Sequence, residues 1–333
     1  MRAWRVADAP IIEAAISELL HKERAIAPNR LGIAHAVRYT SNVAGSSFPQ
    51  GILGDMTDPG DESMPRFRYC LNGSTIRTTP ILQQIEAAGR AGYEAIELWH
   101  DKIDEHLAAG GSLAEIRAAL SEWMLSVPTT IYLARWFETT GAEHTAVLGE
   151  CLKKLNQAAA VGAIHVIACP PMGKADLELG GVHYRELLEL GLTLGVRPAM
   201  EFLGFVEELN TIDLALDVVN RAGHPAGTVV LDPFHVSRGG GPMDSILKLR
   251  PDQIAVCHFN DIPANPPPST QSDEDRVLPG EGISDLRRFV SLLTQIGYSG
   301  WLSLELFRQD LWDRDPLEVA QIGLDAMKRI AES

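Results

Sequence analysis

The chain has 333 residues, enough for one large barrel or two ordinary domains. Hydrophobic residues make up 45% and charged residues 22%, the balance of a soluble globular protein. The formal net charge of −15 repels phosphate backbones and argues against nucleic acid as a general partner.

Residues 8–26 read as an amphipathic helix. Asp8 caps it, Pro10 suits its first turn, and Ile12, Ile16, Leu19 and Leu20 form an apolar stripe. A stretch rich in Gly, Ser, Pro and Asp comes next, from Ser41 to Pro65, and reads as a long loop. Residues 1–65 are thus expected to form an N-terminal extension, with the main domain over 66–333.

From Arg66 onward strands and helices alternate. Phe67–Leu71 is expected as a strand and Pro80–Ala91 as a helix ending at Gly92. Ala95–Leu98 is the next strand, then a helix at Ser112–Trp123 capped by Ser112. A short strand near Leu125–Val127 precedes a long helix at Glu143–Val161 and a strand at Ile164–Ala168. A helix at Tyr184–Leu194 and a strand at Val196–Glu201 come next, then a helix at Thr211–Ala222 and a strand at Val229–Asp232. A short helix at Asp244–Leu249 leads to a strand at Ile254–His258. A helix at Asp285–Ile296, a strand at Trp301–Leu304 and a helix at Pro316–Ala331 close the chain. Such alternation predicts an α/β fold with a parallel sheet and helices outside. Eight strand–helix units match a closed (β/α)8 barrel better than an open sheet. No Gly-x-Gly-x-x-Gly turn comes after the first strand, which weakens a dinucleotide-binding alternative.

Cys70, Cys151, Cys169 and Cys257 show no Cys-x-x-Cys spacing and read as reduced thiols. The first residues lack an apolar signal-peptide core, and no run approaches the roughly 18 apolar residues that span a bilayer. The expectation is a cytoplasmic protein with no membrane partner.

The last four of these strands each end in a metal-ligand type: Glu201, Asp232, His258 and Glu305. Strand ends of a parallel barrel converge on one face, where active sites sit. Each residue alone has a structural alternative. Glu201 could cap or pair, Asp232 could cap the next segment, His258 could be a satisfied histidine, and Glu305 could pair with Arg308. Together they predict one divalent-metal site. Three carboxylates and an imidazole suit Mn²⁺ best, with Mg²⁺, Co²⁺ and Zn²⁺ compatible. His235 lies three residues past Asp232, and Glu207 six past Glu201; both are candidate substrate contacts. Trp99 and His100 come just after the second strand and are expected at the mouth as well. The Pro-rich segment from Asn260 to Gly282 reads as a lid carrying one cation, Arg276, within an acidic run. Lys174 and Arg238 are cations that could meet a phosphate, though nothing in their spacing compels it.

These residues sit in segments that resemble the xylose-isomerase-like barrel superfamily of sugar isomerases, ketose epimerases and inosose dehydratases. The matching segments are Ala91–Trp99, Met200-Glu201, Leu231–His235, His258–Asp261, Arg276–Gly282 and Gly297–Glu305. The resemblance covers about residues 66–331. It implies Glu201 and Glu305 as metal ligands that also exchange protons with a sugar carbon. Asp232 and His258 would be the other ligands, and His235 and Arg276 would contact substrate. It also implies homo-oligomers. The loop between His258 and Arg276 is longer here than in simple ketose epimerases, which leaves the substrate open. The superfamily's apurinic endonucleases need further histidines, absent here from Leu125–Tyr132. The expected function is isomerisation or epimerisation of a keto-sugar or polyol through an enediolate. The alternatives are a lyase acting on a keto-cyclitol or oxo-sugar, and a non-catalytic sugar-binding subunit.

Overall fold

A computed structural model describes residues 67–333. The expected helix at 8–26, the loop from Ser41 to Pro65 and the boundary at 65/66 lie outside the described residues. Eight strands close into a barrel in chain order, each parallel to its neighbours, β8 pairing back to β1. They are β1 (Arg68–Asn72), β2 (Ala95–Trp99), β3 (Val127–Leu133), β4 (Ala163–Ala168), β5 (Arg197–Met200), β6 (Thr228–Leu231), β7 (Ile254–His258) and β8 (Trp301–Leu304). Helices cover the outside: α1 (Ile81–Ala91), α2 (His100–Ala108), α3 (Leu113–Glu122), α4 (Gly141–Val161), α5 (Leu177–Leu192), α6 (Ile212–Ala222), α7 (Pro233–Gly239), α8 (Leu286–Gln295), α9 (Gln309–Trp312) and α10 (Pro316–Ala331).

Local chemistry sets several of these boundaries. α1 stops where Gly92 enters the left-handed region at φ 94°. α3 starts at a capping box: Ser112 Oγ accepts from Glu115 N–H, and the Glu115 carboxylate accepts from Ser112 N–H. α5 starts well before the expected Tyr184, because Asp176 caps it by accepting from Glu178 and Leu179. Gly180 and Gly181 hid this start in the sequence. They sit where neighbours press on the helix, and a Cβ on Gly180 would stand 2.1 Å from the Phe137 ring. β3 extends past the expected Val127 to Leu133. The expected helix at Asp244–Leu249 is a 3₁₀ helix, Met243–Lys248. α2, α7 and α9 were not expected.

The pleat sorts side chains between two cores, because alternate residues of a strand face opposite sides. On β8, Leu302 and Leu304 join the outer core under the helices, while Trp301 faces the barrel interior. The inward series on that strand is therefore Trp301, Ser303, Glu305. On β2 it is Ala95, Glu97, Trp99, with Ile96 and Leu98 outward. The interior is thus layered. An apolar floor contains Ala95, Ala199, Val230, Ala255 and Trp301. A polar layer of Glu97, Thr129 and Ser303 lies above it, all fully buried. The strand ends form the top. Cys70, Cys151, Cys169 and Cys257 are all free thiols. Among the described residues no helix is long and apolar enough to cross a membrane.

Candidate metal centre

Glu201, Asp232, His258 and Glu305 all reach the top layer and are all buried. Donor atoms of Asp232, His258 and Glu305 lie within 4.8 Å of one another. His258 Nδ1 stands 3.0 Å from Glu305 Oε2, 3.6 Å from Asp232 Oδ2 and 3.6 Å from Glu201 Oε1. Yet His258 Nδ1 makes no hydrogen bond. Oxygens grouped around a ring nitrogen without hydrogen-bond geometry fit donors that share a cation. Three oxygen donors and one nitrogen donor suit a hard divalent ion. Glu201 stands slightly apart, its Oε2 accepting from the Cys169 thiol at 3.5 Å.

The electrostatics are strongly perturbed. Burial lifts the Glu201 carboxyl to about 8; His258 opposes this shift, and Glu305 and Asp232 reinforce it. Burial also works against ionised Asp232, but Arg276, His235 and His258 hold its carboxyl well below the usual range. His258 is pushed down by burial, yet Glu305 and Glu97 raise it well above an ordinary histidine.

Asp232 serves two roles at once. Its Oδ1 accepts from Phe234 N–H at 2.8 Å, capping α7, and from Asn260 Nδ2 at 3.0 Å. Its Oδ2 faces His258 and accepts from Arg276 at 2.9 Å. Arg276 is 1% exposed. It also reaches Asp273 at 2.7 Å and Glu305 at 3.5 Å, and lies over the Phe234 ring at 4.4 Å. Its loop is stapled by Asp261, whose carboxylate accepts from the N–H groups of Ile262, Gly280, Gly282 and Ser284 at 2.9–3.1 Å. Gly282 is required there, since a Cβ would stand 2.2 Å from the Ile262 carbonyl oxygen.

His235 is equally enclosed. Gly204 N–H donates to its Nδ1 at 3.1 Å. Its Nε2 is 3.1 Å from Arg276 Nη2, which can only donate, and 3.8 Å from Asp232 Oδ2. Burial pushes His235 down to about 3, keeping it neutral.

Glu201, His258 and Glu305 open to a cavity of about 410 Å³ that His235 and Arg276 also line, with Asp232 outside the lining. Trp99 forms part of its wall, its indole N–H donating to Asn72 Oδ1 at 2.8 Å. His100 is corrected: it starts α2, its ring bonds Gln157 Oε1 at 2.9 Å, and it does not line the cavity. Glu207 is corrected too. It is exposed, outside the cavity lining, and its backbone N–H donates to the Met172 carbonyl oxygen.

Three contributors were not singled out from sequence. Glu97 accepts from Thr129, Ser303 and Asn72, and lies 3.4 Å from His258 Nε2. Burial favours its neutral form, but His258, Ser303 and Thr129 outweigh this and lower it. Asn72 donates to both Glu97 and Glu305, at 3.1 and 3.0 Å. Asp261 holds the Arg276 loop. The available signal for Glu97 was a lone charge at an inward position of an apolar strand.

A model of the xylose isomerase-like TIM barrel matches residues 85–330. The chain belongs to that family. Within it, inosose isomerase of Halalkalibacterium halodurans is 27% identical over 267 residues, covering 78% of this chain and 94% of the relative. A 3-dehydroshikimate dehydratase of Pseudomonas putida is 25% identical over 256 residues, covering 75% of this chain and 40% of the relative. The crystal structure of the IolI protein with a bound zinc atom has a similar fold. Its TM-score is 0.75 at 24% identity, covering 80% of this chain and 98% of that one.

Proposed function

We propose that this xylose isomerase-like barrel is a metal-dependent isomerase or epimerase of an uncharged keto-sugar or keto-cyclitol. The observation that carries this reading is the pairing of Glu201 and Glu305 about His258, at the floor of one partly apolar cavity. Relatives named inosose isomerase support the substrate class. A zinc atom in a structure of similar fold supports a divalent ion here, with Mn²⁺ our choice from the oxygen-rich donor set.

Glu201, Asp232, His258 and Glu305 would hold the ion. When bound, it supplies Lewis-acid stabilisation of the charge that develops on a substrate carbonyl oxygen. Glu201 and Glu305 flank the reacting carbon, one removing the proton next to the carbonyl and the other returning it. His235 lies against the substrate in the cavity, and Arg276 fixes the Asp232 carboxylate. Trp99, Phe205 and Phe307 offer apolar faces to the C–H side of a ring. A phosphate would find poor support. Arg276 is engaged by Asp232 and Asp273, and the other lining cation, Arg135, pairs with Glu143. Arg238 donates to the Gln271 carbonyl oxygen at 2.9 Å, and Lys174 is exposed.

A dehydratase is the second reading, favoured by the 3-dehydroshikimate dehydratase relatives. The same proton removal with subsequent loss of a β-hydroxyl gives elimination. The test is incubation in D₂O with a panel of keto-sugars and keto-cyclitols, with and without chelator. Chelator-sensitive deuterium incorporation with an isomeric product supports isomerisation, and loss of water supports the dehydratase. Glu305→Gln should lower exchange by about 10²–10⁴ with the fold intact. An unchanged rate removes Glu305 from proton transfer, and no turnover by wild type on any substrate favours a binding subunit.

A further inference from the structure

The opposite end of the barrel, where the strands begin, carries a second cavity of about 400 Å³. Its charged and imidazole lining comes from Arg68 of β1, His165 of β4, Arg197 of β5 and Asp252, with Tyr298 and Ser299 beside them and Trp301 of β8 against the barrel floor. The charge balance is unusual for a chain with 44 acidic and 29 basic residues. Among the described residues, neither Arg68 nor Arg197 forms a side-chain ion pair. Asp252, the carboxylate of the lining, is held by Arg250 at 3.1 Å instead. The cavity therefore presents two uncompensated guanidinium groups.

His165 supplies an independent observation. It is 8% exposed and lines the cavity, and with the Pro128 backbone as its single neighbouring hydrogen-bond partner at least one ring nitrogen is left unpaired. A buried imidazole nitrogen without a partner is costly, and such groups in native proteins usually meet water or a ligand. The strand register sets His165 beside Arg197. The Arg68 guanidinium carbon stands 3.8 Å from the Trp301 ring centroid, so cation–π contact holds this side chain over the floor. Its N–H edges stay available for a planar oxyanion.

We propose that this cavity is a binding site for a small oxyanion-bearing molecule, a phosphate ester or a carboxylate. Arg68 and Arg197 clamp the anion, and His165 donates a ring N–H to it. The apolar floor layer separates this site from the metal centre, so occupancy does not depend on the metal or on the reaction proposed above.

The test is calorimetric titration of the full chain, metal-loaded and metal-stripped. The probes are inorganic phosphate, a hexose phosphate and citrate; which of them binds more tightly separates phosphate from carboxylate recognition. Saturable binding of equal strength in both metal states is expected, weakened at least about tenfold by Arg197→Gln and likewise by Arg68→Gln. The same titration monitored through histidine ring NMR signals should move those of His165, a readout that needs no variant. Binding that vanishes on metal removal would place the anion on the metal and overturn the proposal. So would binding unaffected by both substitutions, or no binding by any of the probes at about 10 mM, a concentration at which even millimolar sites fill.

Discussion

Arg276 shows how one side chain serves both stability and chemistry. Its guanidinium joins Asp232, Asp273 and Glu305 while lying over Phe234, all within the barrel mouth. A planar fork does this and a point charge does not. Arg276→Lys should therefore keep the net charge yet lower kcat/KM at least about tenfold, measured on whichever ketose proves to be turned over. Arg276→Met should be more severe. It leaves Asp232 buried and unpaired, and breaking such pairs costs about 3–5 kcal/mol. Urea denaturation of metal-free protein would measure this. A loss under about 1 kcal/mol would mean that His258 alone compensates Asp232.

At the scale of elements, the pleat of β2 and β8 places Glu97 beneath His258. Glu97 lies 3.4 Å from Nε2, while Nδ1 faces the other carboxylates. A carboxylate on the far nitrogen fixes ring orientation and tautomer in metal sites. Glu97→Gln should weaken Mn²⁺ or Zn²⁺ binding about 10–100-fold while circular dichroism stays that of the folded barrel. Glu97→Asp should recover part of the affinity, and equal affinities in all three proteins would reduce Glu97 to a packing role. The segment after β7 makes a separate prediction. Asp261 accepts four backbone N–H groups there. Asp261→Ala should expose the segment carrying Arg276 to limited proteolysis while the remaining barrel resists. Uniform protection would show that the loop does not need this staple.

For the whole molecule, the perturbed groups link stability to pH. Glu201 titrates at about 8 when folded, against an ordinary 4.5, so the folded state holds an extra proton between those values. His258, raised above 6.5, acts in the same direction from that point upward. His235 opposes them only between about 3 and 6.5, where the unfolded chain holds the extra proton. Metal-free protein should therefore lose stability as pH rises from 6.5 to 8, by up to about 2 kcal/mol from Glu201 alone. Excess Mn²⁺ should flatten or reverse that slope, because bound ligands are deprotonated and metal affinity rises with pH. Thermal melts at several pH values, with and without chelator, would read this. A flat metal-free profile above pH 6.5 would contradict the burial of an ionisable Glu201.

Strand–helix alternation determined the barrel, since period-two apolar runs and helical stripes are local signals. The ends of β5 to β8 carried the metal-ligand types, because parallel strands place successive C-terminal ends on one face. Sequence also marked His235, Arg276 and Trp99 as mouth residues, and all three line the cavity. It misplaced His100 and Glu207 because a position after a strand says nothing of side-chain direction. His100 turns into α2 toward Gln157, and Glu207 faces solvent. Glu97 and Asn72 were hidden for a related reason. Their partners lie on β3, β7 and β8, far along the chain, so only closure of the barrel brings them together. The sequence by itself determined which residue types reach the barrel mouth. Tertiary structure alone decided which of them share a cavity, because side-chain direction and long-range pairing arise only once β8 meets β1.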